Sequence, residues 1–281
     1  MQSRKASYLV VVIASAVFLL SASFARAEGS DQPTYMQKDL NEQTVMSLLW
    51  MQTSAEYREL CYQAFNLAGM IVDRATAAAK KGDKPLAVVA DLDETLLDNS
   101  AYDAGLIGRD AAYSGKTWVE WENAAQALAV PGAVDFVKYA ASKNVEVFYV
   151  TNRDQAGFDG TLKNLAVLGF PFADPKHLLV SAGSSDKQPR FDQIAKDYSI
   201  IAFMGDNEND LPLHAYHKSL KDRDAIVDQN KAQFGIQFVV LPNPDYGDWE
   251  PVVADGYYSL SPLGQSSARK AALRTWIPSQ P

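Results

Sequence analysis

The chain has 281 residues, 47% hydrophobic and 21% charged, with a formal net charge of −8. That is the composition of a soluble globular protein, long enough to bury a large core. An acidic surface repels phosphate backbones, which argues against binding nucleic acid in bulk but leaves room for one anionic ligand held by a local cation.

The first 27 residues read as a leader. Arg4 and Lys5 start it, residues 8–20 form an apolar run of 13, and Ala25-Arg26-Ala27 supplies an A-x-A cleavage signal. The run falls short of the ~20 apolar residues that a membrane span needs. Cleavage after Ala27 takes the net charge from −8 to −11. It leaves an exported chain, periplasmic or secreted, with no membrane attachment. Cys61 is the single cysteine, so an internal disulfide is excluded. Its place in an apolar helical stripe predicts a buried thiol. No cysteine follows the leader, which excludes lipid attachment there.

Residues 28–41 are polar and read as a flexible or wrapping arm. Thr53 with Glu56 reads as a capping box. Tyr57, Leu60, Cys61, Ala64, Leu67, Ala68, Ile71 and Ala75 then recur at helical spacing, until Gly82 and Pro85 stop the helix. Residues 28–84 are therefore expected to form an arm and a smaller helical lobe, and 85–281 the core. From Leu86 onward short apolar runs at 86–90, 145–150, 177–180, 200–204 and 236–241 are separated by helical segments, among them 131–141, 158–168 and 189–198. This alternation predicts an α/β fold, a Rossmann-like parallel sheet sandwiched by helices. Residues 102–130, with Trp118 and Trp121, read as an insertion after the first strand. In such a sheet the site lies at the carboxyl ends of the strands.

Four strand ends meet that demand. The first run ends in Asp91-Leu92-Asp93-Glu94-Thr95, the second in Thr151-Asn152-Arg153, and the fourth in Gly205-Asp206-Asn207 with Asp210 one turn on; Lys187 lies a few residues past the third. An isolated D-x-D is common in turns. A calcium loop is excluded, because Leu96 and Tyr102 stand where an EF-hand needs glycine and glutamate. The joint arrangement suits phosphoryl transfer, in which a dianion must be neutralised and its attacker held in line. Asp91 is placed to attack, and Asp93 to protonate the leaving alkoxide and later deprotonate water. Asp91 and Asp206, with the backbone carbonyl of Asp93, offer the hard oxygen ligands that Mg²⁺ prefers. Thr151 and Lys187 are expected to bind phosphoryl oxygens and Asn152 to contact substrate, with Asn207 and Asp210 in support.

These residues carry a family resemblance. Asp91-x-Asp93-x-Thr95, Thr151, Lys187 and Gly205-Asp206-x-x-x-Asp210 resemble the four motifs of the haloacid dehalogenase superfamily, and the acid at Asp93 resembles its phosphatases. Residues 89–102 and 205–210 are similar to the two halves of the class C acid phosphatase signature, and residues 49–57 and 118–133 to its lipoprotein e(P4) branch. The likeness spans roughly residues 40–276. Leu96, Ala202, Glu208 and Leu211 depart from the usual residues without touching a proposed catalytic atom, while the missing lipid-accepting cysteine separates this chain from the anchored members.

The resemblance implies an acid phosphatase that takes phosphomonoesters, nucleoside monophosphates first among them. It is compatible with a homodimer. Trp118, and Tyr246 in the loop after the fifth strand, are expected to stack on the leaving group. For Trp121 and Trp249 packing of the helices on the sheet is an equal expectation. Two other readings stand beside this one: a broad-specificity phosphatase for sugar or aryl phosphates, and a non-catalytic exported ligand-binding protein. The second should lack Asp91 or Asp93, and both are present. His177, His214 and His217 form no haem motif and read as surface or packing residues.

Overall fold

In the computed structural model of the chain, which describes residues 34–278, the five apolar runs become five parallel strands of one sheet. The elements in order are α1 (Gln37–Asn41), α2 (Val45–Thr53), α3 (Ala55–Ala78), β1 (Leu86–Ala90), β2 (Leu97–Asp98), α4 (Ser100–Ala104), α5 (Gly115–Ala124) and β3 (Leu128–Ala129). There follow α6 (Ala133–Ser142), β4 (Glu146–Val150), α7 (Phe158–Leu168), β5 (Leu178–Leu179), α8 (Gln188–Ala195), β6 (Ser199–Gly205), α9 (Leu220–Asn230), β7 (Phe238–Val240) and α10 (Pro262–Ala271). The leader read at 1–27 lies outside the described residues. Among the described residues no helix is long and apolar enough to cross a membrane.

The strand order is β5-β4-β1-β6-β7. The chain leaves β1 to build one side of the sheet and then returns past it to build the other, so β1 sits at the switch point where such sheets open a crevice. Register fixes a common edge. Ala90 lies opposite both Tyr149 and Met204, and the Asp91 amide donates to the Met204 carbonyl at 2.9 Å. The loops leaving β1, β4 and β6 therefore emerge side by side.

The strands are apolar on both faces because both are covered, and their side chains alternate with period two. Val88, Ala90, Val147, Tyr149 and Met204 face one core, shared with α3 and α6. Ala87, Val89, Phe148, Val150, Phe203 and Phe238 face a second core, closed by Phe191 and Ile194 of α8. Replacing one such large aliphatic chain by alanine costs about 2–5 kcal/mol.

The helical region before β1 packs onto this sheet. Helix α3 buries Tyr57, Cys61, Ala64, Phe65, Ala68, Ile71 and Val72. Leu60, expected in that stripe, is 41% exposed, and Phe65 and Val72 do its work. The expected capping box does not form. Thr53 is still the last residue of α2, its hydroxyl donating to the Leu49 carbonyl, so the chain breaks one residue later and the Ser54 hydroxyl accepts the Tyr57 amide at 3.0 Å. Within the described part of the expected arm, residues 37–41 are helical. Asn41 Nδ2 donates to the carbonyls of Leu106 (2.9 Å), Arg109 (3.1 Å) and Ala111 (2.9 Å), which pins the insertion.

The insertion springs from an antiparallel ribbon, Leu97 opposite Ala129 and Asp98 opposite Leu128. Its helix α5 lies against the start of α7 so closely that a Cβ at Gly160 would collide with the Asn123 backbone. Asn164 closes the return, accepting the Ala127 amide at 3.1 Å and donating to its carbonyl at 2.9 Å.

At the opposite edge of the sheet, Glu146 accepts from Lys176 Nζ (2.7 Å), Tyr198 (2.8 Å) and His177 Nε2 (2.8 Å). Partial burial would push its carboxyl up, but these hydrogen bonds outweigh it and bring it down to about 2. A depressed carboxyl stabilises the fold above its unfolded value of ~4.3. That contribution is lost as pH falls through the folded value. Glu146→Gln should therefore lower the Tm at pH 6–7, with the difference from wild type shrinking towards pH 2. A Tm difference independent of pH would contradict this linkage.

Candidate active site

The carboxyl edge of β1, β4 and β6 opens into a cavity of about 740 Å³ lined by, among others, Asp91, Asp93, Trp118, Asn152, Arg153 and Lys187. Asp206, Asn207, Asp210 and Tyr246 also line it. Apart from Thr151, which is buried behind the wall, the site residues expected from the strand ends share one chamber.

Asp91 stands first after the central strand and is buried. Lys187 Nζ donates to Asp91 Oδ1 and, at 2.6 Å, to Asp210 Oδ1. Lys187 is itself buried, and its charge is held by these two carboxylates, which overcome the cost of burial and raise its ammonium above the usual range. The lysine expected to meet a phosphoryl oxygen therefore lies against the oxygen of the expected nucleophile.

Carboxylate oxygens of Asp91, Asp206 and Asp210 lie within 4.8 Å of one another. Burial and mutual repulsion raise Asp91 well above the ordinary carboxylate range despite Lys187. Burial and Asp210 push Asp206 up to about 7. Thr95 Oγ1 (3.1 Å) and Asn243 Nδ2 (2.9 Å) each donate to one oxygen of Asp206 and orient it. A hard oxygen cluster starved of positive charge fits a divalent cation.

Asp210, expected only to support, contributes the third carboxylate. Its Oδ2 also accepts the Asn207 amide at 2.9 Å, which holds the turn after β6. Gly205 makes room for it, because a Cβ there would overlap the Asp210 side chain.

Asp93 faces another way. Its carboxylate accepts from Arg153 Nη2 (2.7 Å) and Nε (2.9 Å), from Asn99 Nδ2 (2.8 Å) and from Thr151 Oγ1 (3.3 Å). Its side chain thus stands outside the carboxylate trio. Thr151, expected to bind phosphate with its hydroxyl, is buried and also accepts the Arg153 amide at 3.1 Å. Asn152 is exposed on the cavity rim, with Arg190 Nη2 donating to its Oδ1 at 2.9 Å.

The turn that carries Asp93 is strained. Glu94 has φ 59°, a left-handed conformation disfavoured for a side-chain-bearing residue. The surroundings hold it there. The Glu94 carboxylate is buried, accepts the Asn99 amide at 2.8 Å and takes the Tyr246 hydroxyl. In the strand-end motifs Glu94, Asn99 and Arg153 have no role that sequence alone assigns. Asn99 meets Asp93 and Glu94 within the same turn, but Trp121, Arg153 and Tyr246 reach this network from distant segments, which no local pattern reveals.

Of the aromatic residues, Trp118 lies in a cluster at the cavity wall. Its ring is 5.0 Å from Tyr102 and 5.9 Å from Tyr113, and the Arg153 guanidinium sits 5.7 Å from its centroid. Tyr246 is half-buried and anchored by its hydroxyl to Glu94. Trp121 packs against the core and donates from Nε1 to Asn99 Oδ1 at 2.9 Å. Trp249 is 44% exposed and donates to the Tyr246 carbonyl.

Comparison with known proteins agrees with this geometry. Residues 6–249 match the family described as HAD superfamily, subfamily IIIB (Acid phosphatase). The structure of the class C acid phosphatase from Bacillus anthracis is 37% identical, with a TM-score of 0.80, covering 85% of this chain and 99% of that one. The crystal structure of that enzyme with tungstate bound gives the same identity and coverage and a TM-score of 0.81. With that match running through every strand end that lines the cavity, the chain belongs to subfamily IIIB of the haloacid dehalogenase superfamily, the acid phosphatases.

Proposed function

We propose that this phosphomonoesterase is an exported, Mg²⁺-dependent enzyme acting on nucleoside monophosphates through an aspartyl-phosphate. The observation that carries the chemistry is the buried Asp91 carboxylate at the end of the central strand, with Lys187, Asp206 and Asp210 gathered round it.

In the first half-reaction an Asp91 oxygen attacks phosphorus and forms the acyl-phosphate bond as the ester P–O bond breaks. Asp93 gives its proton to the departing alkoxide. In the second, Asp93 takes a proton from water as that water attacks phosphorus, releasing inorganic phosphate and the Asp91 carboxylate. Lys187 neutralises charge beside the attacked group. Asp91, Asp206 and Asp210 would hold Mg²⁺, which when bound supplies further neutralisation of phosphoryl oxygens. The Bacillus anthracis enzyme has been crystallised with tungstate bound, an oxyanion like phosphate.

Asp91→Asn and exhaustive chelation with EDTA should each abolish turnover, the mutant by several powers of ten with its fold intact, and Mg²⁺ should restore only the chelated wild type. Full activity after chelation would refute the metal requirement, and activity of the mutant within about tenfold of wild type would refute the nucleophile.

The nucleoside is assigned to the aromatic wall formed by Trp118 with Tyr113, facing Tyr246. One stacked base is worth about 1–3 kcal/mol and is read with little regard to its identity. Trp118→Ala is the cleaner substitution, since Tyr246→Ala also removes the hydroxyl that holds Glu94. It should lower kcat/KM roughly tenfold for a nucleotide and leave a small ester without a base nearly unchanged. Equal losses on both, with a lowered Tm, would make Trp118 a packing residue.

Export rests on the leader at residues 1–27. Amino-terminal sequencing of the mature protein should begin at Glu28, and an intact start at Met1 would overturn that assignment.

A further inference from the structure

Arg153 is among the largest fully buried side chains, 2% exposed, and it lies at the bottom of the cavity. Burying a guanidinium is costly unless each face finds a partner. Here Nε and Nη2 form a fork on Asp93, Nη2 also donates to Asn99 Oδ1 at 3.1 Å, and Nη1 donates to Thr161 Oγ1 at 3.0 Å. A second carboxylate, Glu122 of α5, is buried 3.9 Å from Nε, and among the described residues neither of its oxygens has a hydrogen-bond partner. Trp118 of the same helix lies over the guanidinium.

We propose that Arg153 is a positioning residue for Asp93. Its Nε (2.9 Å) and Nη2 (2.7 Å) converge on Oδ1 of that carboxylate, where Asn99 Nδ2 also donates, while Nε reaches Oδ2 only at 3.3 Å, so that one orientation is held with Oδ2 the freer oxygen. Because Glu122 of the insertion faces Arg153 from its other side, that orientation depends on the insertion being seated. A lysine would retain the charge but could not present two parallel donors. The inference rests on Asp93 as the proton-transfer group.

The experiment compares wild type, Arg153→Lys, Asp93→Asn and the double variant on a simple alkyl phosphate and on a nitrophenyl phosphate, which departs without a proton. Arg153→Lys should lower kcat on the alkyl ester by about 10–100-fold and on the nitrophenyl ester far less. The inhibition constant of inorganic phosphate should stay within about threefold, a change a collapsed site would exceed. In the Asp93→Asn background the lysine substitution should cost nothing more on the alkyl ester, since residues acting as one unit are not additive. Arg153→Ala should regain alkyl-ester turnover when guanidinium ion is added. Equal losses on both esters, or additive losses in the double variant, would overturn the proposal. If Asp93→Asn itself shows no leaving-group dependence, the assignment of Asp93 fails first and takes this one with it.

Discussion

The structure is organised around a concentration of negative charge that water does not screen. Asp91, Asp93, Glu94, Asp206 and Asp210 crowd the carboxyl edge of β1 and β6. Two buried cations, Lys187 and Arg153, divide them into two groups. The lysine group surrounds the proposed nucleophile Asp91, and the arginine group holds Asp93, the proposed proton carrier. Separate counter-charges let two carboxylates two residues apart serve different roles, because each answers to its own cation.

Holding that charge requires unfavourable local structure, and the fold supplies it. Glu94 adopts a left-handed backbone, and Gly205 gives up a side chain so that Asp210 can approach. Neither would persist in an isolated peptide. The strand register on both sides of β1, the Tyr246 hydroxyl and the Asn243 amide over-determine them. Strain of this kind gathers where geometry must be exact enough for chemistry, at a cost of order 1–3 kcal/mol per residue.

Much of this was legible in the sequence, for physical reasons that also explain the omissions. The bounds of β1 follow from an apolar run between Pro85 and Asp91, and those of the helix at 158–168 from apolar residues at helical spacing that stop at Gly169. The carboxylates were found because a parallel sheet dictates where such groups must gather. What escaped depended on contacts between distant segments. The role of Arg153 becomes visible only when Asn99, Thr161 and Glu122 arrive around it. Ser54 rather than Thr53 caps α3 because Thr53 is still the last residue of α2, so the break falls one residue later. Asp210 was expected only in support, and the missing Cβ of Gly205 leaves the room its carboxylate needs to join the cluster.

The chamber is roofed by both ends of the described chain. Gln37 and Leu40 of α1 line it, as do Gln265 and Arg269 of α10. Gln43 joins the two ends, donating to Ser266 Oγ at 2.8 Å and accepting from Arg269 Nη1 at 3.0 Å. A polypeptide emerging from the ribosome therefore lacks the last wall of this chamber until α10 has been made. Hydrolytic competence would be gained only after the sheet had formed and α10 had folded back over it. A fusion at the carboxyl terminus would sit close to that closing step, whereas one on the outer face of α9 would leave it alone.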